Sequence, residues 1–173
     1  MSDRLAAPLR LLLLSLGLVL APACQATTDP APPVAADRAA IDRVLDALHT
    51  LAAAADGDGY FALYRPDAVF LGTDRTEYWP LPEFERYARK RFATGQGWTY
   101  RPTERFVHQF ENTAWFEERL LHERYGETRG TGVLVREGGR WRIAQYNLAL
   151  PVPNALFDDV VSDIDRHYRR ARR

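Results

Sequence analysis

Cysteine is nearly absent: Cys24 is the only one in 173 residues. An internal disulfide and a thiolate metal cluster are both excluded. The four histidines (His49, His108, His122 and His167) show no short metal-ligand spacing, so no structural metal and no cofactor are expected. Net charge is also lacking, with 23 Lys plus Arg against 23 Asp plus Glu. That balance gives no electrostatic reason to expect a nucleic-acid partner. Lysine is reduced to Lys90, so the basic side is almost wholly arginine, whose planar fork suits carboxylates. No Ser-His-Asp or Cys-His arrangement and no phosphate loop stands at a recognisable spacing. Apolar material is not lacking: 46% of residues are hydrophobic and 12% aromatic, enough for one packed domain.

No apolar run reaches the roughly 20 residues that a spanning helix needs. Leu11 to Leu20 is apolar but for Ser15 and Gly17, and it follows Arg4 and Arg10. This short run fits the apolar region of a secretory signal peptide. Ala21-Pro22-Ala23 is a small-x-small cleavage site, and Cys24 comes next. A cysteine at that point resembles a bacterial lipoprotein signal, although Ala21 stands where leucine is usual. Cleavage without acylation, releasing a soluble exported protein, is the alternative. The expected order is a signal peptide over 1–23, an acylatable cysteine with a proline-rich tether over 24–36, and a folded domain over 37–173. Acylation would hold the protein at the cell envelope. The basic end, Arg166 to Arg173, suits a solvated helix terminus or weak contact with anionic lipid.

Asp37 is a candidate helix cap, followed by Ile41, Val44, Leu45, Leu48 and Leu51 at helical spacing. Asp58 is a candidate cap for a short second helix carrying Phe61 and Tyr64. Ala68 to Leu71 reads as a short strand. Pro82 opens a third helix with Phe84, Tyr87, Ala88 and Phe92 on one side. From Trp98 the period becomes two. Strands are predicted over Trp98–Phe110, Thr113–His122, Tyr125–Glu137 and Trp141–Leu150, with Gly138-Gly139 as a hairpin turn. Asn154 is a candidate cap for a last helix over 155–171. Helices followed by a run of long strands imply an α+β domain with helices on one face of an antiparallel sheet.

Several stretches carry a family resemblance: Phe70-Leu71-Gly72-Thr73-Asp74, Glu77-Tyr78-Trp79, Gly97-Trp98-Thr99-Tyr100, Ala114-Trp115-Phe116-Glu117-Glu118, Tyr125 to Leu134, and Trp141 to Leu148. Taken in order, they resemble the SnoaL-like proteins of the nuclear transport factor 2-like superfamily. The likeness covers roughly Asp37 to Asn154. It implies a cone-shaped curved sheet wrapped around helices, a central cavity, and often a dimer. Members range from isomerases, cyclases and dehydratases to non-catalytic subunits, so fold does not deliver function. Family enzymes often place a histidine or aspartate on the last strands; Gln145 and Asn147 stand there instead.

A two-residue turn at Gly138-Gly139 would set Gly132 opposite Gln145 and Gly130 opposite Asn147. Two glycines facing two amides would leave room for a ligand, or would simply allow curvature. Glu117 shares a side with Trp115 and is a candidate acid or base; pairing with Arg129 or Arg119 is the plainer role. Asp74 is the second catalytic candidate, or else a turn residue. Glu77, Trp79, Trp115, Arg129, Gln145 and Asn147 are the candidate ligand-binding set. Two functions stand: a cavity holding a small, partly apolar molecule, or proton-transfer catalysis in that cavity. A non-catalytic structural subunit is a third. In the last hairpin both sides are partly apolar, so one is expected to cover helices and the other to meet a second copy in a homodimer or the C-terminal helix.

Overall fold

The computed structural model describes residues 35–171. The signal-peptide, Cys24 and tether expectations lie outside the described residues. No described helix is long and apolar enough to cross a membrane.

Three helices fill the concave side of one sheet. α1 (Ala35–Ala53) buries Ile41, Leu45, Leu48 and Ala52, the stripe that helical spacing predicts. Asp37 lies inside its first turn rather than at its cap. Its carboxylate accepts hydrogen bonds from Gln109, Arg136 and Trp141, which tie the helix start to three strands. α2 (Gly57–Ala62) is capped by Asp56, which accepts from the Gly59 N–H at 2.9 Å. Asp58 sits in the first turn and pairs with Arg89, so it is not the cap. α3 (Leu81–Phe92) opens with proline in its first turn and buries Leu81, Phe84, Ala88 and Phe92.

The sheet has six strands: β1 (Tyr64–Leu71), β2 (Tyr78–Pro80), β3 (Arg101–Phe110), β4 (Thr113–His122), β5 (Gly126–Glu137) and β6 (Arg140–Ala149). Their spatial order is β2-β1-β6-β5-β4-β3. β1 runs parallel to β6 and every other pair is antiparallel. Tyr64 opens β1 instead of closing the second helix, and β2 has no counterpart in the predicted elements.

The last hairpin corrects the predicted register. Glu137 pairs with Arg140 as expected, but Leu134 pairs with Ile143 and Val133 with Gln145. β6 thus carries one extra residue at Ala144, a bulge, and its side-chain parity inverts there. Gly132 faces Tyr146 and Gly130 faces Leu148, not the two amides. Trp141 and Ile143 before the bulge, and Tyr146 and Leu148 after it, all point into the core. The glycines make space for that core. A Cβ at Gly130 would press on the Tyr146 hydroxyl, and one at Gly132 on the Phe116 ring and the Gln145 carbonyl.

A 3-10 turn (Asn154–Leu156) leads into α4 (Phe157–Ala171); Asn154 lies within that turn and does not cap it by its side chain. Leu156, Phe157, Val161 and Ile164 are exposed along the helix. α4 is pinned near its end, where the Arg75 guanidinium lies 3.4 Å from the Tyr168 ring centre and the Tyr168 hydroxyl donates to Asp74. The outer face of the sheet is exposed too, with Phe106, Phe110 and Trp115 on it and Trp115 stacked on His108 at 5.6 Å.

Candidate functional site

The cone encloses a half-open cavity of about 380 Å³ between α1, α3 and the sheet. Its walls are aromatic. Phe70 stacks on Phe84 at 4.0 Å and on Tyr146 at 5.7 Å, and Phe84 stacks on Trp98 at 6.1 Å. Tyr60, also in the wall, shares a buried 2.9 Å hydroxyl–hydroxyl bond with Tyr64. Burial pushes the Tyr60, Tyr64 and Tyr146 hydroxyls well above the usual tyrosine range, so these groups stay neutral.

A buried relay reaches the aromatic lining through His49. His49 projects from α1 into the wall, and its Nε2 lies 2.8 Å from the Glu118 carboxylate. Glu118 is 1% exposed. Its other oxygen accepts from Arg105 Nε at 2.7 Å. Arg105 in turn donates to Asp42 at 3.1 Å and Asp46 at 2.8 Å. α1 places Asp42, Asp46 and His49 four and three residues apart, on one helical face over β3 and β4. An ionised Glu118 can only accept, so Nε2 carries the proton and donates. Nδ1 is left with no hydrogen-bond partner among the described residues. This is the arrangement by which a carboxylate fixes the orientation and tautomer of an imidazole that exchanges protons with a bound molecule.

Asp42 also accepts from Arg38 at 2.8 Å. Burial alone would raise its carboxyl, but the bonds from Arg38 and Arg105 outweigh burial and hold it below the usual carboxylate range. A depressed carboxylate stabilises the fold above its unfolded value, and that contribution is lost as pH falls through the folded value. Asp42→Asn is therefore expected to cost about 1 kcal/mol at neutral pH and to cost less below about pH 4. Urea midpoints at pH 7 and pH 3 check this; an equal cost at both would contradict the pairing.

The structure places the predicted residues on two sides of the sheet. Glu77 and Trp79 line the cavity, with Trp79 stacked on Tyr87 at 5.3 Å. Asp74 is a turn residue: one oxygen accepts from the Thr76 N–H at 2.8 Å and the Thr76 hydroxyl at 2.6 Å. Those bonds hold it below the usual carboxylate range, with smaller help from Tyr168 and Arg75. Glu117, Trp115 and Arg129 are exposed on the outer face, where Glu117 pairs across the strands with Phe106 and Thr131. Gln145 is exposed, and Asn147 donates to the Thr131 hydroxyl. The amides do not reach the cavity because the Ala144 bulge turns them outward. His49, Glu118 and Arg105 are absent from the predicted set. Their signal was available, because Glu118 alternates in phase with Ala114, Phe116 and Leu120, and a carboxylate in phase with an apolar face marks a paired, buried charge. Among the described residues, no group of three potential ligands is placed to hold a metal ion.

A sequence model of the SnoaL-like domain matches residues 41–153. The chain belongs to the SnoaL-like domain family. No curated protein matches it. Solved structures similar to this SnoaL-like domain share its fold at low identity. One is a nuclear transport factor 2-like protein of unknown function from Pseudomonas putida, 15% identical with a TM-score of 0.60 over 70% of this chain and 91% of that one. Another, from Caulobacter vibrioides, has a cystatin-like fold, 15% identity and a TM-score of 0.60, covering 73% and 97%. A candidate dehydratase of the nuclear transport factor 2-like family from Streptomyces avermitilis is 13% identical with a TM-score of 0.58, covering 68% and 98%.

Proposed function

We propose that the cavity binds a small, partly apolar molecule and that His49 moves a proton on it. The observation that carries this reading is the buried His49–Glu118–Arg105 relay opening onto an aromatic cavity. His49 is the member of the relay that reaches the cavity wall. The similarity to a candidate dehydratase agrees with proton transfer but does not carry it. Tyr146, whose hydroxyl is raised by burial and by nearby Glu118, would supply a neutral hydrogen-bonding group in the same cavity lining.

The test is deuterium exchange at the acidic α-carbon of β-tetralone, a bicyclic ketone of suitable size. Wild type in D2O is expected to speed exchange, His49→Gln to abolish the effect, and Glu118→Gln to weaken it. Exchange no faster than buffer, with the ketone bound, leaves a binding cavity without catalysis.

The protein would act outside the cytoplasm, tethered through an acylated Cys24 or soluble after cleavage. Incorporation of labelled palmitate into wild type but not Cys24→Ser would distinguish these. The exposed Phe106, Phe110 and Trp115 on the outer face favour a homodimer through the sheet. A monomeric mass by light scattering at micromolar concentration would oppose it.

A further inference from the structure

The rim of the cavity is charged unevenly. Arg91, in the last turn of α3, and Arg124, in the turn between β4 and β5, both line it. Glu77 is the single carboxylate in the lining. It does not neutralise either arginine: among the described residues neither guanidinium has a carboxylate oxygen within ion-pair reach. Glu77 is folded back on its own loop, where it accepts from the Asp74 N–H at 3.1 Å. Gly72 makes that fold possible, since a Cβ there would occupy the position of the Glu77 carboxylate.

Each guanidinium lies over an aromatic ring. Arg91 lies 5.6 Å from the Trp98 ring centre and donates to the Gly97 carbonyl at 3.2 Å. Arg124 lies 5.4 Å from the Tyr125 ring centre. Stacking limits the rotamer freedom each would lose on binding an anion. His122 adds a donor. Its Nδ1 accepts from the Arg124 and Tyr125 N–H groups at 3.1 and 3.2 Å, so Nε2 is the nitrogen that bears hydrogen. The His122 ring lies between Tyr125 at 4.6 Å and Tyr100 at 4.7 Å. Tyr100, Tyr125, Glu77 and Arg91 all line the same cavity, and burial pushes the Tyr100 hydroxyl above its usual range.

Resting on the reading of a ligand-holding cavity, we propose that the ligand is an anion: a planar aromatic molecule bearing a carboxylate. Its carboxylate sits at the rim on Arg91 and Arg124, with His122 as a further donor, and its rings lie between the aromatic walls. The reacting end then points inward to His49. Planar guanidinium forks match a carboxylate, and both arginines stand exposed at the mouth, where an entering anion meets them first.

The probes are naphthoate and its neutral isostere naphthamide, titrated by calorimetry into the full chain. Naphthoate is expected to bind wild type about tenfold more tightly than naphthamide, the ratio that one charge-assisted contact supplies. The double variant Arg91→Gln/Arg124→Gln should bind both equally. Arg91→Lys/Arg124→Lys, which keeps the charges, should retain part of the preference and shows that the site tolerates substitution. Naphthamide binding wild type as tightly as naphthoate, or an unchanged preference in the double Gln variant, overturns the inference while the cavity reading stands. Failure of both probes to bind wild type overturns the cavity reading with it.

Discussion

Replacing Glu118 by alanine is expected to cost about 3–5 kcal/mol of folding stability, the range for removing one partner of a buried ion pair. The carboxylate is 1% exposed and serves two hydrogen bonds, to His49 at 2.8 Å and Arg105 at 2.7 Å. Its loss leaves the Arg105 guanidinium, itself largely buried, facing an apolar void. Asp42 and Asp46 still hold the outer side of that guanidinium, which keeps the cost within the range rather than beyond it. Glu117→Ala, one residue away on the exposed face, should stay within about 0.5 kcal/mol. Urea denaturation of the two variants compares a buried with an exposed carboxylate on the same strand. A cost below about 1 kcal/mol for Glu118→Ala would mean that the relay is solvated and the pairing weak.

Gly132→Ala is expected to destabilise by about 1–3 kcal/mol or more, through overpacking rather than through backbone conformation. The new methyl would meet the Gln145 carbonyl, which is fixed in the β5–β6 ladder, and the Phe116 ring at 2.8 Å. Neither neighbour is the free end of a flexible side chain. Gly139→Ala supplies the contrast: it opens into empty space, but its φ of +78° lies where an L residue is strained. Its cost should be about 1 kcal/mol. Thermal midpoints order the two variants. If Gly132→Ala were the milder, β5 and β6 would not approach as closely as the bulge requires.

Elements were legible in the sequence wherever a period ran without interruption. The stripe on α1, the alternation along β4 and the turn at Gly138-Gly139 all follow from side-chain direction alone. What defeated sequence reading was a change of phase. Strict alternation along β6 puts Gln145 and Asn147 beside Trp141 and Ile143; the extra residue at Ala144 replaces them with Tyr146 and Leu148. Nothing local in Ile143-Ala144-Gln145 announces this, because a bulge exists only in the pairing of β6 with β5. Glu117 lies outside the cavity for another reason. Trp115 suggested an apolar setting for Glu117, yet a strand has two faces and the tryptophan lies on the exposed one, 40% accessible. The neighbouring Glu118, in phase with Phe116 and Leu120, is the carboxylate inside. His49 escaped because it borders the apolar stripe of α1, and its partner lies 69 residues away in sequence.

The clasp between α1 and the sheet binds two properties that selection would otherwise tune apart. Arg105 and Glu118 fasten the helix and also aim the imidazole. Burying a charged pair is an inefficient route to robustness, and well-packed apolar substitutes of similar volume are often neutral or better. Only a simultaneous exchange of both positions for apolar residues avoids leaving a buried charge unpaired, and it would leave His49 without its carboxylate partner. Laboratory evolution for thermal tolerance alone should accept that double exchange, whereas selection for the proposed proton transfer should leave the pair in place.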